Sequence, residues 1–245
     1  MLLLAAFFVT EAKAQTCIQP PSCDSLGYIM SETECIGLFL RCPLDASKVF
    51  CQQEKCVVGS ILYNDKSCSA SVQSGKTPVG IVFDTEKRLA IALTDIKENG
   101  YEGSVKMQWS SNYCDVPALT NCNNNILFCG TDGSLNTYRI LESNCTGTTA
   151  VSAANSYVSS YCGTEFCMRT KWFLPSINEL NTIYQNVTAI NAALIKLGKS
   201  ALTNGYYWSS NEYNGNSAWY LHMKGYVING NDKNGTAYVR PVLAY

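Results

Sequence analysis

Long apolar runs, histidine and charge are what this chain of 245 residues has least of. No stretch reaches the roughly 20 apolar residues that a membrane-spanning helix needs, so no transmembrane helix is expected. Charged residues make up 15% and the net charge is -1. No Lys/Arg run could hold a phosphate backbone, which excludes nucleic acid as a partner. The single histidine, His222, lies far along the chain from every cysteine, and nothing pairs it with a nucleophile. No cysteine follows Cys167, and Cys51/Cys56 and Cys162/Cys167 have four residues between them rather than the two of common zinc knuckles. Glu212 and Asp232 lack a recognisable acid/base partner. Neither enzyme activity, metal nor cofactor is expected.

Cysteine, by contrast, is abundant: 13 residues, clustered at 17–68 and 114–167. That density implies an oxidising compartment. The first cluster occupies a segment poor in aliphatics that would be marginal without covalent staples. Pairings cannot be read from the spacings. The odd count leaves at least one thiol free, or bonded to another chain, or bonded to something outside this sequence. The opening apolar run at residues 2–9, followed by Ala12-Lys13-Ala14, reads as a signal peptide cleaved near Ala14; the alternative is a first buried strand. An exported protein, extracellular or on a bacterial surface, is therefore expected.

The expected organisation is α+β: a signal peptide at 1–14, a cysteine-rich module at 15–72, a turn-rich boundary at 73–80, and a second domain at 79–245. In that domain "VGIVFD" and "LAIALTD" read as a hairpin. Residues 100–138, rich in Asn, Gly and Cys, read as ordered loop anchored by Trp109. Val151, Ala154, Val158 and Tyr161 recur at helical spacing. Ser176 with Glu179 forms a capping box that opens a helix burying Ile177, Leu180, Ile183 and Tyr184. A further short helix carries Ile190, Leu194 and Leu197 and stops at Gly198. Short strands follow, with Asn-Gly turns at 214–215, 229–230 and 234–235, and Pro241 predicts an edge or bulge in the last strand.

From Tyr206 onward, aromatics alternate with Asn, Ser, Gly and Asp. Tyr and Trp offer large contact area at low side-chain entropy cost, and Asn and Ser add adaptable hydrogen bonds, as in an antibody-like surface. Tyr213 and Tyr220 are the candidate anchors. Trp208, Trp219, Val239 and Val242 read as core.

The motifs "WFLPSINEL" (172–180), "NAAL" (191–194), "YWSS" (207–210), "AWY" (218–220) and "YVRPVLAY" (238–245), with "VGIVFD", "LAIAL" and "DGSLNTYRIL" before them, resemble one family. It is the bacterial C-type-lectin-like family that includes the formylglycine-generating-type fold, and more narrowly the variable proteins of diversity-generating retroelements. The resemblance implies two helices packed on small antiparallel sheets, with the Trp and Arg-Pro-Val residues as framework. It places display positions among Asn211, Tyr213, Asn214, Asn216, His222, Lys224, Asn229, Asn231, Asp232 and Asn234, with substitutions arising at template adenines. The calcium-lectin triplets Glu-Pro-Asn, Gln-Pro-Asp and Trp-Asn-Asp are absent. The expectation is an exported display protein that binds a protein or other surface ligand by adhesion; the alternative is a structural or pilus-like surface subunit.

Overall fold

The computed structural model describes residues 28–29, 37–42, 47, 49–53, 56–122, 126–143, 150–159 and 162–245. The expected leader at 1–14 lies outside them, as do Cys17, Cys23, Cys35 and Cys145. The chain divides into two compact units, Met1–Glu54 and Lys55–Tyr245. The first contains a small antiparallel sheet of β1 (Tyr28–Ile29), β2 (Gly37–Arg41) and β3 (Val49–Gln53), with β3 in the centre. Cys42, just after β2, is buried and disulfide-bonded.

The second unit opens with β4 (Ile61–Tyr63), β5 (Cys68–Ser69), β6 (Pro78–Asp84) and β7 (Leu89–Ala92), followed by the short β8 (Met107–Gln108). Helices α1 (Gly133–Glu142) and α2 (Ala150–Asn155) precede β9 (Trp172–Phe173), and α3 (Ile177–Gln185) and α4 (Val187–Lys196) follow it. The chain ends in β10 (Tyr206–Asn214), β11 (Ser217–His222), β12 (Val227–Asp232), β13 (Thr236–Ala237) and β14 (Val242–Ala244). Architecturally this is a mixture of helices and small antiparallel sheets, and the largest sheet has the order β5-β4-β6-β7-β14-β9.

That sheet is buried on both faces, which explains the near-continuous apolar character of β6 and β7. Ile61, Ile81, Ile91 and Val242 pack with Ile177, Leu180, Ile190 and Leu194 from α3 and α4. Leu62, Val82, Ala90 and Leu243 pack on the other side with Trp109, Trp172 and Trp208. The expected hairpin of β6 and β7 is present. Because β4 and β5 belong to the same sheet as β6, the turn-rich 73–80 segment joins β5 to β6, the two strands that flank β4; it does not separate the two modules placed at 15–72 and 79–245. The contact division falls instead after Glu54.

Pro241 also corrects its expectation. β14 lies between β7 and β9, not at an edge, and Pro241 precedes the strand, where its missing N–H interrupts no ladder. The capping box forms as read: Ser176 N–H donates to Glu179 Oε2 at 2.8 Å and Glu179 N–H to Ser176 Oγ at 3.2 Å. The helix expected on Val151, Ala154 and Val158 is shorter, ending at Asn155 before Val158, and Tyr161 lies outside the described residues. The end of the segment read as loop, residues 133–138, belongs instead to a helix that runs to Glu142 and opens where Asp132 caps Leu135 N–H at 2.9 Å. Asn229-Gly230 is not a turn but lies within β12, where Tyr213's ring would meet a Cβ at Gly230 at 3.1 Å. Disulfides join Cys56–Cys68, Cys122–Cys129 and Cys162–Cys167, and Cys114 is also disulfide-bonded.

Candidate functional site

β10, β11 and β12 form their own antiparallel sheet in that order. Directly opposed residues share a face, so the register sorts the strip. Tyr206 lies opposite His222 and Trp208 opposite Tyr220, while β12 places Val227 opposite His222, Asn229 opposite Tyr220 and Asn231 opposite Ala218. This face runs from a buried end at Trp208 and Ala218 to an open end at Tyr206, His222 and Val227. The opposite face carries Tyr207, Trp219, Leu221 and Ile228 and packs on the cluster containing α3.

The indole and amide groups of the strip anchor it from below. Trp109 Nε1 donates to Ser209 O at 2.8 Å, Trp208 Nε1 to Met107 O at 2.8 Å, and Trp219 Nε1 to Cys122 O at 2.9 Å. Asn211, expected among the display positions, is part of this anchor. It is 2% exposed, its Oδ1 accepts from Ile177 N–H at 2.8 Å, and its Nδ2 donates to the carbonyls of Cys129 and Gly130 at 3.1 and 3.0 Å. A side chain that closes the start of α3 cannot face a ligand, so Asn211 leaves the candidate set.

Two buried charge clusters went unread in the sequence. Lys233, fully buried, donates to Glu212 Oε1 and the carbonyls of Cys114 and Gly215, with its ammonium 4.8 Å from the Trp109 ring centroid. Glu212 also accepts from Val116 N–H at 3.2 Å. Burial pushes the Glu212 carboxyl above its ordinary range, with Lys233 pulling the other way. In the second cluster Arg240 Nε lies 2.9 Å from Asp95 Oδ1, its N–H off the line of a hydrogen bond. Asp95 also accepts from Tyr207 OH at 3.1 Å and Ser104 Oγ at 2.8 Å. Lys233 sits among Asn, Asp and Gly, and nothing in that neighbourhood distinguishes it from a solvated lysine.

What remains outward divides into two groups and a tip. At the open end, Tyr206 and Tyr220 stack with centroids 4.1 Å apart, His222 meets Tyr206 edge-on at 4.6 Å, and Trp208 backs Tyr220 at 5.4 Å. Asn229 flanks Tyr220, and Asn231 continues the row, half-buried. Burial and the neighbouring Tyr206 raise the pKa of the Tyr220 hydroxyl. His222 also closes the hairpin: its Nδ1 accepts from Gly225 N–H at 3.0 Å and Lys224 N–H at 3.3 Å. Tyr206 and Val227 were not singled out from the sequence; period-two alternation with Tyr220 and His222 would have found them.

The second group lies at the far end. Tyr213, 38% exposed, packs edge-on against Trp219 on the opposite face. Asn214 Oδ1 accepts from the N–H groups of Asn216 and Ser217 at 2.9 Å each, which fixes the turn. Asn234 donates to the Tyr113 hydroxyl at 2.8 Å. Asp232 is exposed, but alternation sends it to the face opposite Asn231, so the two do not converge. Lys224 is exposed at the β11–β12 tip.

This sheet lies inside the region matched by a family model, described as the Lcl C-terminal domain, over residues 103–243. The chain belongs to that family. In this Lcl C-terminal domain the strands β8 to β13 and the first two residues of β14 fall within the match, while β4 to β7, which complete the same sheet as β14, precede it. None of the curated proteins matches. Among solved structures, the crystal structure of a fimbrial protein from Bacteroides ovatus ATCC 8483 shares the fold, with a TM-score of 0.53 and 15% identity. The alignment covers 77% of this chain and 49% of that one, so the chain spans about half that protein's length. No helix among the described residues is long and apolar enough to cross a membrane.

Proposed function

We propose that this Lcl C-terminal domain protein is exported, displayed on a bacterial surface, and works by binding a ligand rather than by catalysis. The observation that carries the reading is the half-exposed row of Tyr206, Tyr220 and His222, edged by Asn229 and held on buried indoles. Rigid aromatic rings on an anchored sheet lose little entropy on binding. Their flat, polar-edged shape suits a protein ligand. The disulfides fit an exported location.

The finer reading is that the strip is varied by a retroelement. Tyr213, Asn214, Asn216, Tyr220, His222, Lys224, Asn229, Asn231, Asp232 and Asn234 lie outside the buried framework. Substitutions there would change the surface without touching the Glu212–Lys233 pair or Arg240. The test is to sequence the DNA around the gene. A near-copy of the segment encoding 206–245, differing only at adenines and lying beside a reverse transcriptase gene, is expected. Absence of any such repeat would remove this reading.

Binding itself is tested on a protein array. The chain with Tyr206→Ala and Tyr220→Ala should retain about a tenth or less of the wild-type affinity for whatever array protein wild type captures. Equal affinity would overturn the aromatic row as the contact. A second reading, a structural surface subunit, draws on the fold shared with the fimbrial protein. It expects self-assembly into long polymers and no array capture.

A further inference from the structure

β12 is the outer strand of its sheet, and no described strand pairs with its far side. Which of its backbone groups face out follows from the ladder. Trp208 N–H donates to Tyr238 O and Tyr238 N–H to Tyr206 O, so residues 206 and 208 turn their backbone groups away from β11. Tyr207 and its opposite residue Leu221 therefore bond each other. By alternation, Ala218, Tyr220 and His222 bond to β12, through Asn231, Asn229 and Val227. The outward backbone groups are thus those of Ile228, Gly230 and Asp232, of which the Asp232 carbonyl already accepts from Gly235 N–H at 2.8 Å. The Gly230 N–H bears this out: its hydrogen bond goes not to β11 but to the side chain of Asn229, at 2.9 Å.

Native sheets blunt such edges with lysine, proline, bulges or very short strands. β12 has none of these: its six residues keep an unbroken register with β11, and "VINGND" contains neither Lys nor Pro. Its single charge, Asp232, is at one end.

We infer that β12 is a self-pairing edge, and that two copies of this chain join through antiparallel β12–β12 contact about a two-fold axis at Gly230. Self-complementarity argues for a second copy over another occupant. In an isologous contact each pair occurs twice. With Gly230 opposite Gly230, Asn229 lies opposite Asn231 of the second copy, and Ile228 opposite its Asp232. The two Asp232 carboxylates are never directly opposed, and two Asn–Asn amide pairs form on the face that carries Tyr220. Gly230 brings no side chain of its own to the axis; on the face opposite Tyr220 the ring of Tyr213 covers it, 3.1 Å from where a Cβ would stand. The contact joins two three-stranded sheets into one, with both aromatic rows on the same side. A two-fold contact closes on itself, so it yields a dimer and not a filament.

Analytical ultracentrifugation of the full chain tests this. Wild type is expected to sediment with twice the chain mass at high concentration, and to run as a monomer on a denaturing non-reducing gel. Asn229→Lys with Asn231→Lys places lysines opposite one another twice and should leave monomer. Asn229→Lys with Asn231→Asp pairs opposite charges and should restore the dimer. Asn229 is exposed and Asn231 half-buried, so circular dichroism matching wild type checks that each variant is folded. A wild type that stays monomeric at its solubility limit would overturn the inference. So would a dimer that survives the double lysine change, or one held by an intermolecular disulfide.

Discussion

At the scale of single residues, the ammonium of Lys233 governs the far end of the β10–β11–β12 sheet. Three acceptors, Glu212 Oε1 and the carbonyls of Cys114 and Gly215, meet its three N–H groups, tying β12 to the β10–β11 turn and to the 110–116 loop. Neither Lys233 nor Glu212 has side-chain surface exposed to solvent. Removing only the cation strands a carboxylate in a dry site. Lys233→Met should therefore cost about 3–5 kcal/mol in urea unfolding. Adding Glu212→Gln should recover part of that loss, because no uncompensated charge then remains. A single-variant loss below about 1 kcal/mol would mean that water reaches the pair. Asn211 illustrates the same point for recognition by pattern. Its type and place in the strip match a display position, yet its amide makes three hydrogen bonds inside the unit. A polar residue pointing inward looks like one pointing outward until its partners, distant in sequence, are known.

Elements were legible where the signal is local. The capping box of Ser176 and Glu179, the β6–β7 hairpin and the stop at Gly198 each depend on residues near in sequence, and each is present. What sequence could not give was the partner of an element: β14 beside β7, or α1 closing against α3. Glu179 joins those two helices. Besides capping Ser176, its Oε1 accepts the N–H of Gly133, the first residue of α1, at 3.2 Å. A Cβ on Gly133 would lie 2.4 Å from Glu179 Oε2 and 2.7 Å from Leu174 O. Burial is the main cause that raises the Glu179 carboxyl from 4.5 to about 7, opposed by the two N–H donors and by Lys87. The folded chain therefore holds a proton that the unfolded chain releases between these values. The contribution to stability is fully present below 4.5 and is lost as pH rises through about 7. At 1.36 kcal/mol per unit, it amounts to about 3 kcal/mol. Wild-type unfolding free energy should fall over that interval relative to Glu179→Gln, which has no proton to lose. Parallel pH profiles for the two would show that Glu179 titrates alike folded and unfolded.

For the whole molecule, the question is how much chain the β10–β11–β12 sheet needs. The family match begins at 103, but β14, the last strand, by which the chain returns to the core after β10 to β13, lies between β7 and β9. A chain cut at 103 would lose β4, β5, β6 and β7, expose Leu243 and Val242, and leave α3 and α4 without the sheet they cover. Lys55–Tyr245 keeps all of this: both hydrophobic clusters lie wholly within it, and Cys56–Cys68 pairs inside it. A domain with its own core folds independently. A chain beginning at Lys55 should therefore unfold in one cooperative transition, with a Tm within a few degrees of the full chain's domain transition. The chain beginning at 103 should show no cooperative transition. If the shorter chain folds as well as the longer one, the six-stranded sheet is not the foundation of the surface. If the Lys55 chain fails, the Met1–Glu54 unit contributes stability that contacts within Lys55–Tyr245 do not supply.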